Sequence, residues 1–137
     1  MFRTIKVTCA IIIHQEKILV AQRSEYMSNP LKWEFPGGKL ENHESLEECI
    51  KREILEELNL KIETLTILNK NTHQIGENLK IELIPFICRY IEGELSLKEH
   101  RSAQWLRPAE LDTLDWSEAD IPILNQLMNH KSIQEIS

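Results

Sequence analysis

The stretch from Ser45 to Asn59, S-L-E-E-C-I-K-R-E-I-L-E-E-L-N, constrains this chain more than any other. Its periodicity predicts a helix. Ser45 and Glu48 form an S-x-x-E capping box, so Ser45 is the expected N-cap. Asn59 is placed to take the left-handed conformation that ends a helix. At roughly 100° per residue, Leu46, Cys49, Ile50, Ile54 and Leu58 make one apolar stripe. Glu53 and Glu57 fall about 20° either side of Leu46 on the same wheel, inside that stripe, and Glu56 falls beside Cys49.

A solvated acidic face is the ordinary explanation of such a run. Here it fits badly, because two of the acids point the same way as the core residues. Glu53, Glu56 and Glu57 are spaced i, i+3, i+4, so their carboxylates crowd one patch and repel. Burying unpaired carboxylates is expensive unless a cation or an arginine neutralises them, and Arg52 neutralises only part of that charge. A hard divalent ion with oxygen ligands is the natural remedy. Mg²⁺ completes its shell with water and substrate phosphate.

The surrounding residues carry a family resemblance. Gly38, five residues, Glu44, seven residues and then R-E-I-L-E-E-L-N-L (Arg52–Leu60) resemble the Nudix box, G-x5-E-x7-R-E-U-x-E-E-x-G-U. The one departure is Asn59 in place of the second glycine, a mild change because asparagine also tolerates the left-handed region. The resemblance implies an α+β chain with the Nudix fold: an α/β/α sandwich around a mixed β-sheet, with the box as loop–helix–loop. It implies Mg²⁺, with Mn²⁺ as the alternative, held by Glu53, Glu56, Glu57 and the carbonyl of Gly38. Arg52 would orient Glu53, and Glu44 would be an outer-shell partner. Two residues compete as general base, Glu53 and Glu99. MutT-like members place an acid at the position of Glu99, as base or further metal ligand; the competing reading is a solvated loop acid.

Three further stretches, A-I-I-I-H-Q-E-K-I-L-V-A-Q-R, W-E-F-P-G-G-K-L-E and A-D-I-P-I-L, are similar to the MutT branch of that family. That branch converts nucleoside triphosphates to the monophosphate and pyrophosphate. The implied substrate is an oxidised nucleotide such as 8-oxo-dGTP. The alternative is a CTP- or pyrimidine-preferring, or broad-specificity, pyrophosphohydrolase. A non-catalytic nucleotide-sensing module is a third reading, but such modules usually have a degraded box, and here every acid and Arg52 is in place. By the resemblance Asp120 sits where MutT reads the base with asparagine, and related CTP pyrophosphohydrolases carry aspartate there. Asp120 before Ile121-Pro122 is equally a good helix N-cap.

Three other residues have two readings each. Arg23 and Lys39 suit phosphate contact, against a surface salt bridge and a solvated lysine. Phe35 suits packing on a base, against plain core packing.

A length of 137 residues predicts one domain, 1–137. The formal charge of −6 argues against a general grip on nucleic acid polymers. No stretch approaches a membrane span. Cys9, Cys49 and Cys88 lie in apolar runs without metal spacing, which fits buried thiols in a reducing cytoplasm. A monomer is the default expectation.

Strands are expected over Lys6–Ile13 and Lys17–Gln22 as a hairpin, a short one around Trp33–Phe35, and β-rich segments over Lys61–Asn69 and Asn78–Tyr90. A polar loop with Gly76 would separate the last two, and Pro85 would mark an edge or a bulge. Gly37-Gly38 reads as a turn whose glycines permit close backbone approach and positive φ. Ala103–Leu106 reads as a strand, Pro108–Leu111 as a helical turn and Asp120–Asn129 as the last helix.

Overall fold

The computed structural model describes residues 3–134. One mixed sheet dominates. Its strands are β1 (Arg3–His14), β2 (Lys17–Gln22), β3 (Trp33–Glu34), β4 (Gly37–Lys39), β5 (Lys61–Ile67), β6 (Asn71–Ile75), β7 (Leu79–Glu92) and β8 (Ser102–Leu106). β1 and β7 run parallel from Arg3↔Leu79 to Ile13↔Arg89, and the other named pairings are antiparallel. The helices are α1 (Leu46–Leu58), α2 (Ile121–Met128) and the short α3 (Lys131–Gln134).

The two-residue period of the central strands sorts side chains onto opposite faces. Ala10, Ile12, Leu19, Ile84, Phe86 and Cys88 pack with Ile50, Ile54 and Leu58 of α1. Cys9, Ile11, Ile18, Val20, Leu83 and Ile87 pack with Ile123, Leu124 and Leu127 of α2. The sheet therefore lies between two helical layers, the expected sandwich.

Local details correct several expectations. The polar stretch before Gly76 is not a loop: Asn71–Ile75 forms β6, and its hairpin with β7 turns through Gly76 at φ 65°. Its polar composition hides it, because only the partner strand supplies the pairing. Pro85 lies in the interior strand β7, opposite Cys9 of β1. It is tolerated where the partner on the other side changes, since β5 ends opposite Phe86 and β6 begins opposite Leu83. The Pro85 carbonyl accepts the Leu68 N–H at 2.9 Å, so the missing N–H of Pro85 faces that same gap.

Gly37 and Gly38 form β4 against Thr8 and Cys9, and neither has positive φ. Close approach is what requires them. A Cβ on Gly37 would overlap the Thr8 carbonyl oxygen, and one on Gly38 would overlap the Glu53 carboxyl group. β3 stops at Glu34, and Phe35 continues into the core.

One edge of β1 is shared. β4 pairs with Val7–Cys9, and β2 pairs with Ile13–His14. The Ala10 N–H fills the gap by donating to the Pro36 carbonyl at 2.8 Å. This divided edge opens the cleft described next.

Candidate active site

α1 is fixed at both ends as its sequence predicts. The Glu48 N–H donates to Ser45 Oγ at 3.1 Å, and the Ser45 N–H donates to Glu48 Oε1 at 2.8 Å. Asn59 closes the helix at φ 59° with its N–H on the Leu55 carbonyl at 3.0 Å. Its side chain also donates to the Glu94 carbonyl at 3.0 Å, a bond that glycine lacks. Between these caps Cys49, Ile50, Ile54 and Leu58 are buried, Glu53 and Glu57 are half-buried, and Glu56 is exposed.

Arg52 gathers the acids. Its Nη2 donates to Glu44 Oε1 at 2.7 Å and Nε to Glu44 Oε2 at 2.9 Å; Nη1 donates to Glu53 Oε1 at 3.0 Å and Glu56 Oε2 at 3.2 Å. This two-pronged grip on Glu44 holds its carboxyl at about 2, with the Glu41 N–H helping. Glu53 and Glu57 move the other way. Burial raises both, and the neighbouring acid Glu99 raises Glu57 further.

Two observations show what this acid group can accept. Glu57 Oε2 is buried without a hydrogen-bond partner. The Glu53 carboxyl packs against the bare Cα of Gly38, where any side chain would displace it. Among the described residues, no three carboxylate, imidazole or thiol groups form a metal cluster by themselves. The donor set is instead the half-buried Glu53 and Glu57, the exposed Glu56 and a backbone carbonyl, with water and phosphate left to complete a shell. That is the chemistry of a hard, strongly hydrated divalent cation. The Gly38 carbonyl accepts Thr8 Oγ1 at 3.2 Å, and Cys49 Sγ lies 3.7 Å from the same oxygen.

Beside the acids lies a cleft of about 340 Å³. Gly38, Lys39, Ser117 and Asp120 line it, with Val7, Phe35, Ile81 and Leu83 among the apolar residues. Lys39 is exposed at the rim. Phe35 is buried and tilted against Trp116, with ring centroids 4.8 Å apart, so it serves the core while lining the cleft. Arg23 is held in the wall by Glu34 Oε1 at 2.7 Å, Ser28 Oγ at 2.9 Å and the Ser28 carbonyl at 2.5 Å.

Asp120 corrects one of its two readings. It occupies the residue before α2 but makes no side-chain cap. Its Oδ1 accepts the Phe35 N–H at 3.0 Å, and burial pushes its carboxyl up to about 7. Glu99 is exposed at the acid end, in a segment anchored by the Lys98 N–H on the Glu57 carbonyl at 3.3 Å.

Sequence reasoning missed Glu34 and His100. His100 lies within hydrogen-bonding distance of Glu34, with 2.8 Å between Nε2 and Oε2, and its side chain is only 4% exposed. Glu34 lies within the W-E-F-P-G-G-K-L-E stretch, but nothing local pairs it with His100. Their pairing spans 66 positions and appears only once the sheet is formed.

The chain is similar to known proteins along most of its length. The chain is 32% identical over 126 residues to the CTP pyrophosphohydrolase of Escherichia coli (strain K12), spanning 92% of this chain and 93% of that protein. It is 29% identical over 116 residues to the 8-oxo-dGTP diphosphatase of Buchnera aphidicola subsp. Acyrthosiphon pisum, spanning 85% and 90%. The solution structure of the MutT protein of methicillin-resistant Staphylococcus aureus 252, described as a Nudix family hydrolase, superposes with a TM-score of 0.75 at 41% identity, covering 93% of this chain and 98% of that one. The model of the NUDIX domain matches residues 3–127, and this chain belongs to the NUDIX family.

Proposed function

We propose that this chain is a divalent-metal-dependent nucleoside triphosphate pyrophosphohydrolase that releases a nucleoside monophosphate and pyrophosphate. The observation that carries this reading is the pairing of the unpartnered Glu57 carboxylate oxygen and the Gly38-packed Glu53 with a cleft that runs to Asp120. Mg²⁺ is the proposed ion, with Mn²⁺ as its substitute. When bound, such an ion neutralises polyphosphate charge and acidifies a water molecule.

The chain's own residues divide the remaining work. Glu53, Glu56 and Glu57 would hold the ion with the Gly38 carbonyl. Arg52 would fix Glu53 through the network that also restrains Glu44. Glu53 or Glu99 would take the proton from the attacking water. Lys39, free at the rim, would meet phosphate, and Arg23 would act as a wall fixed by Glu34 and Ser28. Phe35 and Asp120 would receive the base.

The first substrate is an oxidised purine triphosphate such as 8-oxo-dGTP, and its removal would protect DNA precursors. A pyrimidine triphosphate is the second reading. It is favoured by Asp120 Oδ1 being committed to Phe35, which leaves Oδ2 as an acceptor for a base amino group, and by the similarity to a CTP pyrophosphohydrolase. We further propose that residues 1–137 act as one monomeric unit in the cytoplasm, with no nucleic acid polymer as partner. No helix among the described residues is long and apolar enough to cross a membrane.

The test is kcat/KM for 8-oxo-dGTP, dGTP, CTP and dCTP with Mg²⁺, reading pyrophosphate. A preference above about 100-fold for 8-oxo-dGTP over dGTP supports the first substrate, because a site that hydrogen-bonds a distinguishing group discriminates at least that strongly. A preference for cytosine supports the second. No pyrophosphate from any triphosphate rejects the reading.

A further inference from the structure

Residues 98–101 form a short strap between the two ends of the site. Its first residue is tied to α1 by the Lys98 N–H on the Glu57 carbonyl at 3.3 Å. Its last is tied to β2 by the Arg101 N–H on the Gln22 carbonyl at 3.0 Å. Between these anchors two adjacent side chains behave oppositely: Glu99 is exposed, and His100 is buried.

His100 is not merely a space-filling ring. Its Nε2 lies 2.8 Å from Glu34 Oε2, while Arg23 Nη1 donates to Glu34 Oε1 at 2.7 Å. Burial works to raise the Glu34 carboxyl, yet these two partners together hold it below its ordinary range. An ionised Glu34 can only accept, so His100 Nε2 carries the proton and donates. The remaining ring nitrogen, Nδ1, is buried without a partner, as is Glu57 Oε2. The Lys98 N–H bond to the Glu57 carbonyl sets Glu99 and His100 one and two residues from the turn of α1 that carries Glu57.

A surface loop has no need of a buried imidazole with one unpaired nitrogen, because unpaired buried polar atoms are costly. What this arrangement achieves is aim. Drawing His100 inward onto Glu34 leaves its neighbour Glu99 exposed, on the segment bonded to the Glu57 carbonyl. The His100–Glu34 bond joins that acid to the Arg23–Glu34 wall of the nucleotide cleft.

We propose that His100 is the positioning residue of this site, holding Glu99 beside Glu57 through its Nε2–H bond to Glu34. The kinetic part of the inference rests on the pyrophosphohydrolase reading, and the metal-binding part does not.

The test compares His100→Leu, His100→Gln, Glu99→Gln and the double variant His100→Leu/Glu99→Gln. Mn²⁺ binding without nucleotide is read from the electron paramagnetic resonance of the free ion, and kcat and KM are measured separately on a triphosphate. His100→Leu is expected to weaken Mn²⁺ binding and lower kcat by about 10-fold each, the usual effect of removing a residue that orients a metal site. KM is expected to change less than about 3-fold, because Arg23 keeps its bonds to Ser28. His100→Gln, whose amide reaches Glu34 from the same place, restores most of both. The double variant binds Mn²⁺ no worse than Glu99→Gln alone, because His100 acts through that residue.

Additive losses in the double variant would overturn the proposal, as would a His100→Leu variant that loses thermal stability but keeps wild-type Mn²⁺ binding. If His100→Leu does not fold, His100→Asn replaces it, polar but too short to reach Glu34. If wild-type protein releases no pyrophosphate while the Mn²⁺ pattern holds, the proposed function fails and the positioning role stands.

Discussion

The Asp120 carboxylate accepts the backbone N–H of Phe35 at 3.0 Å instead of capping the helix that it precedes. This one bond joins the end of the short strand before the glycines to the start of α2, and it sets the far wall of the cleft. Asp120→Asn keeps an acceptor for Phe35 and replaces the second carboxylate oxygen with a donor. The expected result is an altered base preference with kcat on the best substrate nearly unchanged. The check is kcat/KM across the four triphosphates; an equal loss on all of them would limit Asp120 to a structural role.

Asp120 also predicts a pH dependence of stability. Burial raises its carboxyl to about 7, so the folded protein holds a proton that the unfolded chain releases near pH 4. Stability contributed by the protonated group is full below about pH 4 and declines until the pH passes about 7. Relative to Asp120→Asn, wild-type protein is expected to lose on the order of a few kcal/mol across that window, measured by urea unfolding at pH 5 and pH 8.

Gly37 and Gly38 separate stability from activity. A methyl group on Gly37 meets the Thr8 backbone, which cannot yield inside paired strands. A methyl group on Gly38 first meets the end of the Glu53 side chain, which can rotate away. Gly37→Ala is expected to lower Tm by several degrees or prevent folding. Gly38→Ala is expected to leave Tm within a few degrees and lower kcat by about 100-fold, since misplacing a catalytic group by about 1 Å costs that much.

Much of the site was legible in α1 alone. The wheel positions of Glu53 and Glu57 against Ile50, Ile54 and Leu58 already set burial against charge within one helix, and both are half-buried in the structure. The caps at Ser45 and Asn59 were equally local. Three features were hidden for one common reason, that their causes lie across the sheet. β6 owes its pairing to β7, Pro85 is tolerated only because β5 and β6 meet opposite it, and His100 meets Glu34 only after the chain has closed. Asp120 shows the opposite error: a good local cap signal was overridden by a long-range bond to Phe35.

Arg52 predicts a further split. It holds Glu44 through two nitrogens and Glu53 through a third. Lysine retains the charge but cannot fork. Arg52→Lys is expected to reduce kcat by at least about 10-fold and raise the Mg²⁺ concentration for half-maximal rate, as removal of an orienting partner does. Because Glu44 is held at about 2, its stabilising contribution is present above about pH 4 and is lost as the pH falls toward 2. Acid titration followed by circular dichroism should show a higher unfolding pH for Arg52→Lys than for wild type.

In the proposed reading the inward carboxylates of α1, Glu53 and Glu57, would hold the ion that hydrolysis needs. The direct measurement is kcat for pyrophosphate release with Mg²⁺ by Glu53→Gln and Glu57→Gln, alongside Tm. Both variants are expected to fold with Tm at or above wild type, since burial disfavours the charged carboxylate in each, and to lose at least about 100-fold in kcat. Folded variants with near wild-type kcat would contradict the account.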